Sequence, residues 1–174
     1  MDKSNSIAMK RRNIIEALKS RLEKYSYSYI SMQDVANEAG ISKGGLRYYF
    51  PTKQSLFIGL LEDFFNGIEE NHLKMINSQN TPGDKAVLST LFNIERFVLD
   101  GKNIKIFLNL LLYGLEEPEM MKPISQFFRK HLEIYKMIIE KAKADLPKID
   151  KNEFDMAFHA RITQIIFLST GLME

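Results

Sequence analysis

A chain of 174 residues with 45% apolar side chains and neither cysteine nor tryptophan can build a hydrophobic core, but it has no disulfide, no thiol chemistry and no cysteine-ligated metal site. Its N-terminal MDKSNSIAMKRR lacks the apolar stretch of a secretory signal, and its longest apolar run, IFLNLLLYGL, is shorter than the roughly 20 residues a membrane span needs. The net charge of +2 is uneven: residues 1–53 hold ten Lys/Arg against five Asp/Glu and residues 54–174 fourteen against seventeen, so one end of the chain suits a polyanion.

Residues 8–24 carry Ile14, Ile15, Leu18 and Leu22 on one stripe, which predicts an amphipathic helix. The alternating YSYSY at 25–29 is too short for a strand and reads as a packed connector between helices. Ser31 begins a short helix. Its side chain can cap a free backbone N–H, and Asp34 is placed to complete a variant of the capping box. Val35, Ala36 and Ala39 give that helix a narrow apolar face. Gly40 ends it, because glycine takes up the left-handed backbone of a helix stop, and Ile41 plugs the turn. Ser42 caps a second short helix, in which Leu46 and Phe50, four apart, point to the core. A small residue at 36 and a glycine at 40 let the second helix cross closely over the first. The pair is a helix-turn-helix whose second helix projects for a DNA major groove.

The outward positions of that second helix carry the chemistry. Gly44 and Gly45 remove side chains that would hold the main chain away from a partner, and leave N–H groups at a helix start, where phosphate is favoured. Lys43 and Arg47 share one exposed face, and an arginine can grip guanine O6 and N7 together. Lys43 also has a plain reading as a solvated lysine. Tyr48 and Tyr49 can offer hydroxyls to phosphate, with core packing the second reading for Tyr49. Thr52 caps the next helix and puts Lys53 in its first turn, where a cation opposes the helix dipole unless an anion is close.

Further along, 53–77 is helical, with Phe57, Leu60, Leu61, Phe64, Phe65 and Ile68 inward. Breaks at 77–84 and 100–103 bracket a helix at 84–99. Residues 104–115 are apolar on all sides, as expected of a helix buried among others. Pro123 fits the first turn of a long helix running to about 144. A loop at 145–152 leads to a last helix at 153–170. There is no strand pattern of useful length and no repeat, so the fold class is all-α.

The stretch ISMQDVANEAGISKGGLRYYFPTKQSLF resembles the N-terminal domain of the tetracycline-repressor (TetR) family of bacterial transcription regulators. The motif residues are Ser31, Asp34-Val35-Ala36, Ala39-Gly40, Ile41-Ser42, Gly44, Tyr48-Tyr49-Phe50 and Lys53, and the match covers about residues 8–60. Departures from the family pattern are Gly45, Arg47 and Ser26, the first two bearing on operator sequence. The resemblance implies a three-helix, helix-turn-helix head at 1–52 and a larger antiparallel helical body at 53–174 that binds a small effector and dimerises through its last two helices. The chain ends at STGLME, about where the family's final helix begins, so either that helix is missing from it or the dimer interface is smaller than usual.

By the same resemblance Lys43, Gly45, Arg47, Tyr48, Tyr49 and Lys53 lie at the DNA, beside Ser31, Ser42, Gly44 and Thr52 at the helix starts. An effector pocket is expected among Phe64, Phe92, Phe107, Tyr113, Phe127, Phe128, Tyr135 and Phe158, with His131 as a polar anchor; the other reading of these residues is plain core. Three scattered histidines make no metal site, and there is neither a phosphate loop nor a nucleophile–base pair. The expectation is a non-enzymatic cytoplasmic homodimer without cofactor that binds a double-stranded DNA operator and a small apolar effector. The alternative is a helical carrier or sensor of hydrophobic molecules that no longer binds DNA.

Overall fold

Leu18, Val35, Ala36, Leu46, Phe57 and Leu60 come from four different stripes of the sequence, and all are wholly withdrawn from water. The helices that carry them must therefore meet at one core. The computed structural model describes residues 3–81, 84, 85, 88, 89, 92 and 100–145. Its helices are α1 (Lys3–Leu22), α2 (Met32–Glu38), α3 (Lys43–Tyr49), α4 (Lys53–Asn77), α5 (Gly101–Glu116) and α6 (Pro118–Asp145), with a 3-10 turn at Tyr27–Tyr29. No strand occurs among the described residues, so the fold is all-α. Residues 84, 85, 88, 89 and 92 are helical, within the stretch expected to be a helix at 84–99. The expected loop at 145–152 and helix at 153–170 lie outside the described residues, apart from Asp145, which ends α6.

α1 is the shared support. It packs on α2, α4 and α5, while α2 packs on α3, and α6 packs on both α4 and α5. Side chains reinforce these seams. Lys19 Nζ bonds Asp63 of α4 at 2.6 Å, and Ser20 Oγ donates to Glu38 of α2 at 2.7 Å. Burial alone would lower the Lys19 pKa; the bonds to Asp63 and Glu16 outweigh it and raise it.

The helix-turn-helix closes as the sequence indicates. Ser31 and Asp34 form the capping box of α2. Gly40 has φ +66°, and its N–H bonds Asn37 O at 3.2 Å while the Ile41 N–H reaches back to Ala36 O at 3.0 Å. This pair of returning bonds is a Schellman stop, which satisfies carbonyls that the end of α2 would leave open. Ile41 is only partly buried, packed against the core.

Three sequence expectations change. α1 starts at Lys3 rather than near residue 8, because apolar periodicity marks only the packed part of a helix and no breaker precedes it. α6 starts at Pro118, so Pro123 lies inside the helix; Pro118 takes the first position, where a missing N–H costs nothing. α5 is not buried all round. It packs on α1, α6 and the 3-10 turn, which leaves Leu108, Leu112 and Leu115 each about half exposed, at 49%, 48% and 51%. No described helix is long and apolar enough to cross a membrane.

The α2 cap gives a measurable pH dependence. Asp34 accepts from Ser31 Oγ at 2.6 Å and Ser31 N at 2.8 Å, with Arg21 at 3.8 Å. These bonds from Ser31, helped by Arg21, hold its pKa below the ordinary 3.8. A depressed carboxylate adds stability that is full above 3.8 and is lost as the pH falls through its lower, folded-state value. Asp34→Ala should cost about 1 kcal/mol in denaturant unfolding at pH 7. The gap from wild type should begin to narrow as the pH drops below the ordinary aspartate value and close below the folded-state value.

Candidate nucleic-acid interface

Seven residues make α3, too few for a stable helix in isolation, so its ends and packing must hold it. Ser42 caps the start by accepting the Gly45 N–H at 3.0 Å. Leu46 and Phe50 bury the inner side. Lys43, Gly44, Arg47 and Tyr48 face solvent, Tyr48 at 75% exposure. Tyr48 rests edge-on against Tyr49 with ring centroids 5.0 Å apart, and Tyr49 is partly buried against the core. Gly45 is half-buried, and its N–H is already used by the Ser42 cap, which leaves Gly44 as the open glycine of the first turn. Ser31, Ser42 and Thr52 are exposed helix caps, and Thr52 forms a capping box with Ser55.

Lys53 is drawn inwards rather than presented beside α3. Its Nζ donates to the Tyr27 carbonyl at 2.7 Å and lies 5.7–5.9 Å from the ring centroids of Tyr27, Phe57 and Tyr113. Burial lowers its pKa, offset in part by Glu116. The same corner ties the connector to α5. The Tyr27 hydroxyl donates to the Glu116 carboxylate, and the Tyr27 N–H donates to Asn109 Oδ1 at 2.7 Å. The bond to Glu116, with burial, raises the Tyr27 pKa; burial raises that of Tyr113.

Other basic residues of the N-terminal third are also occupied. Lys19 pairs with Asp63 and Glu16, and Arg21 approaches Asp34. Lys10, Arg12, Lys43 and Arg47 remain on the exposed surface.

The aromatic residues expected at a pocket divide into separate groups. Phe64, Phe107, Phe127 and Phe128 form one cluster, joined by Phe65, which stacks on Phe127 at 3.7 Å. Tyr113 belongs instead to the Tyr27 corner, with Phe57 at 4.7 Å. Phe92 stacks on His72 at 5.2 Å, and His72 Nε2 bonds Ser89 Oγ at 2.6 Å in a wholly buried pair. The side chains of His131 and Tyr135, and all of Phe158, lie outside the described residues. A groove of about 720 Å³ opens elsewhere, between α1 and α4, and of the expected pocket residues only Phe64 lines it. Among the described residues no three His, Asp or Glu side chains come together as a metal site would require.

Residues 14–60, from the packed part of α1 into α4, match the family described as "Bacterial regulatory proteins, tetR family". By this match the chain is similar to the TetR family over residues 14–60. It is similar to the HTH-type transcriptional regulator RutR of Escherichia coli, 28% identical over 64 residues that cover 37% of this chain and 30% of RutR. It is also similar to the HTH-type transcriptional regulator CymR of Pseudomonas putida, 26% identical over 113 residues that cover 65% of this chain and 55% of CymR. The chain thus spans less than two thirds of either relative's length. Among solved structures, a Saccharomonospora viridis protein in complex with choline superposes with a TM-score of 0.78 at 15% identity, over 94% of this chain and 84% of that one. At that identity the likeness is one of fold, and it extends past the TetR domain into the helical body.

Arg11, Asn109 and Glu116 escaped the sequence reading. Each acts through a partner brought close only by folding, and Tyr27 lies 82 and 89 residues from Asn109 and Glu116. Tyr27→Phe removes a buried hydroxyl's bond to a surface carboxylate and should cost about 1 kcal/mol, read from the denaturant midpoint.

Proposed function

We propose that this protein is a DNA-binding transcriptional regulator that uses α3 to read duplex DNA. The observation that carries this reading is a doubly held, solvent-facing α3 bearing Lys43, Gly44, Arg47 and Tyr48 in a TetR-type helix-turn-helix. Gly44 adds support. Its φ is not positive, and a Cβ there would meet only Ser42 Oγ at an ordinary 3.9 Å. Nothing among the described residues demands glycine at 44, which leaves room for a partner to approach the main chain there. A bare turn at a helix start lets a phosphate come close to the main chain. Arg47, free on the same face, is the candidate reader of guanine, and the hydroxyls of Tyr48 and Tyr49 the candidate phosphate donors. The similar proteins RutR and CymR are each described as an HTH-type transcriptional regulator.

Two copies acting together would set their α3 helices in successive major grooves, about 34–36 Å apart. A small apolar effector in the body, near the cluster of Phe64, Phe107, Phe127 and Phe128, would release or strengthen this grip. It does so only by its difference in affinity for the two arrangements of the heads. Such a protein works in the cytoplasm, where the DNA is.

The test is duplex DNA fragments selected from the source genome, titrated by fluorescence anisotropy over a range of salt. Wild-type affinity should fall steeply as salt rises. Arg47→Ala should weaken binding to the selected fragment by roughly 5- to 150-fold, the worth of one bidentate base contact. Equal affinity of mutant and wild type would remove Arg47 from its role. A carrier that has lost DNA binding would show no salt-dependent binding at all.

A further inference from the structure

A short reading helix is only as well aimed as the contacts at its two ends. Ser42 holds the start of α3. The other end is gripped from both sides. Arg11 of α1 donates from Nη1 to the Tyr49 carbonyl at 2.7 Å, one of the oxygens that the C-terminus of α3 leaves without a helical partner. The same guanidinium lies 4.2 Å from the centroid of the Phe50 ring. Against the Cε1–Cζ edge of that ring sits Gly59 of α4, where an added Cβ would fall 2.6 Å from Phe50 Cε1. Phe50 is 1% exposed, and its own N–H closes the last turn of α3 on Leu46 O at 2.9 Å.

A planar cation therefore lies over the Phe50 ring, and a bare stretch of α4 backbone crowds the ring's Cε1–Cζ edge. The ring cannot shift towards α4, and α3 cannot rotate about its own end without breaking the bond from Arg11. Guanidinium suits this place because it can stack flat and donate in its own plane, which a lysine ammonium cannot. The positive charge also lies at the C-terminal end of α3, the end that favours it.

We propose that Arg11 is a positioning residue for α3: it sets the aim of the reading helix from behind, through Tyr49 and Phe50, without touching DNA. The inference rests on the reading of α3 as the DNA-contacting helix. The competing role for an exposed arginine on this basic end is a direct phosphate contact.

Arg11→Gln and Arg11→Lys separate the two. The first measurement needs no DNA: amide hydrogen exchange across α2, α3 and α4 in the free protein. Both variants should speed exchange in α3 by roughly tenfold, the worth of one hydrogen bond and one stacked cation, and leave α2 and α4 unchanged. The second compares affinity for a selected fragment and for an unrelated duplex over a range of salt. Both variants should lower the ratio of the two affinities by roughly tenfold, with the salt slope of wild type. The proposal is overturned if Arg11→Gln weakens both duplexes alike and reduces the salt slope by about 0.9 while Arg11→Lys restores binding, since that is the signature of a lost phosphate contact. It is equally overturned if exchange in α3 is unaltered. Should wild type bind no duplex, the functional reading falls, and the exchange measurement still decides whether Arg11 holds α3.

Discussion

Everything that α3 can present depends on the turn that ends α2. Gly40 adopts a backbone that other residues enter at a cost of about 1 kcal/mol or more, and from it the chain doubles back so that Ile41 bonds Ala36. The carbonyls of Ala36 and Asn37 are thereby satisfied without water, and the next residue, Ser42, is already in place to start α3. Ala36 completes the constraint. It is wholly buried, and a longer side chain there would have to displace the core packed around it. The path of the chain from α2 into α3 is thus set by two small residues and a pair of backbone bonds.

The positive charge of the N-terminal third turns out to have two uses. Part of it is structural: Lys19, Arg21 and Lys53 tie α1 to α4, α1 to α2, and α4 to the connector. The rest, including Lys43 and Arg47, stays on the surface. Net charge alone does not tell these apart. What does is geometry, since each inward cation finds an acceptor on a different element.

Elements that announce themselves locally were readable in advance. The capping box of Ser31 and Asp34, the stop at Gly40, the Ser42 and Thr52 caps and the inward Leu46 and Phe50 each depend on residues no more than five apart. The inward reach of Lys53 was not legible, because its position in the first turn of α4 says nothing about the Tyr27 carbonyl, 26 residues earlier, that it bonds. The α5 leucines misled for a related reason. A helix that is apolar on every side looks fully buried, but burial depends on how many neighbours arrive, and Leu108, Leu112 and Leu115 have water on theirs. Of the expected pocket aromatics, Phe64, Phe92, Phe107, Tyr113 and Phe127 are buried and Phe128 is partly buried. Their division between a body cluster and the Tyr27 corner follows from the crossing of α4, α5 and α6, which no one-dimensional pattern records.

The division at residues 52 and 53 runs through a single hydrophobic core. Ile14, Ile15 and Leu18 of α1 and Leu46 and Phe50 of the helix-turn-helix share one cluster with Leu56, Phe57, Leu60 and Leu61 of α4. A fragment cut after Thr52 would hand these faces to water and would not keep its shape. A chimera that grafts this head onto another body must carry the first turns of α4 with it, since the recognition module borrows its floor from the segment that follows.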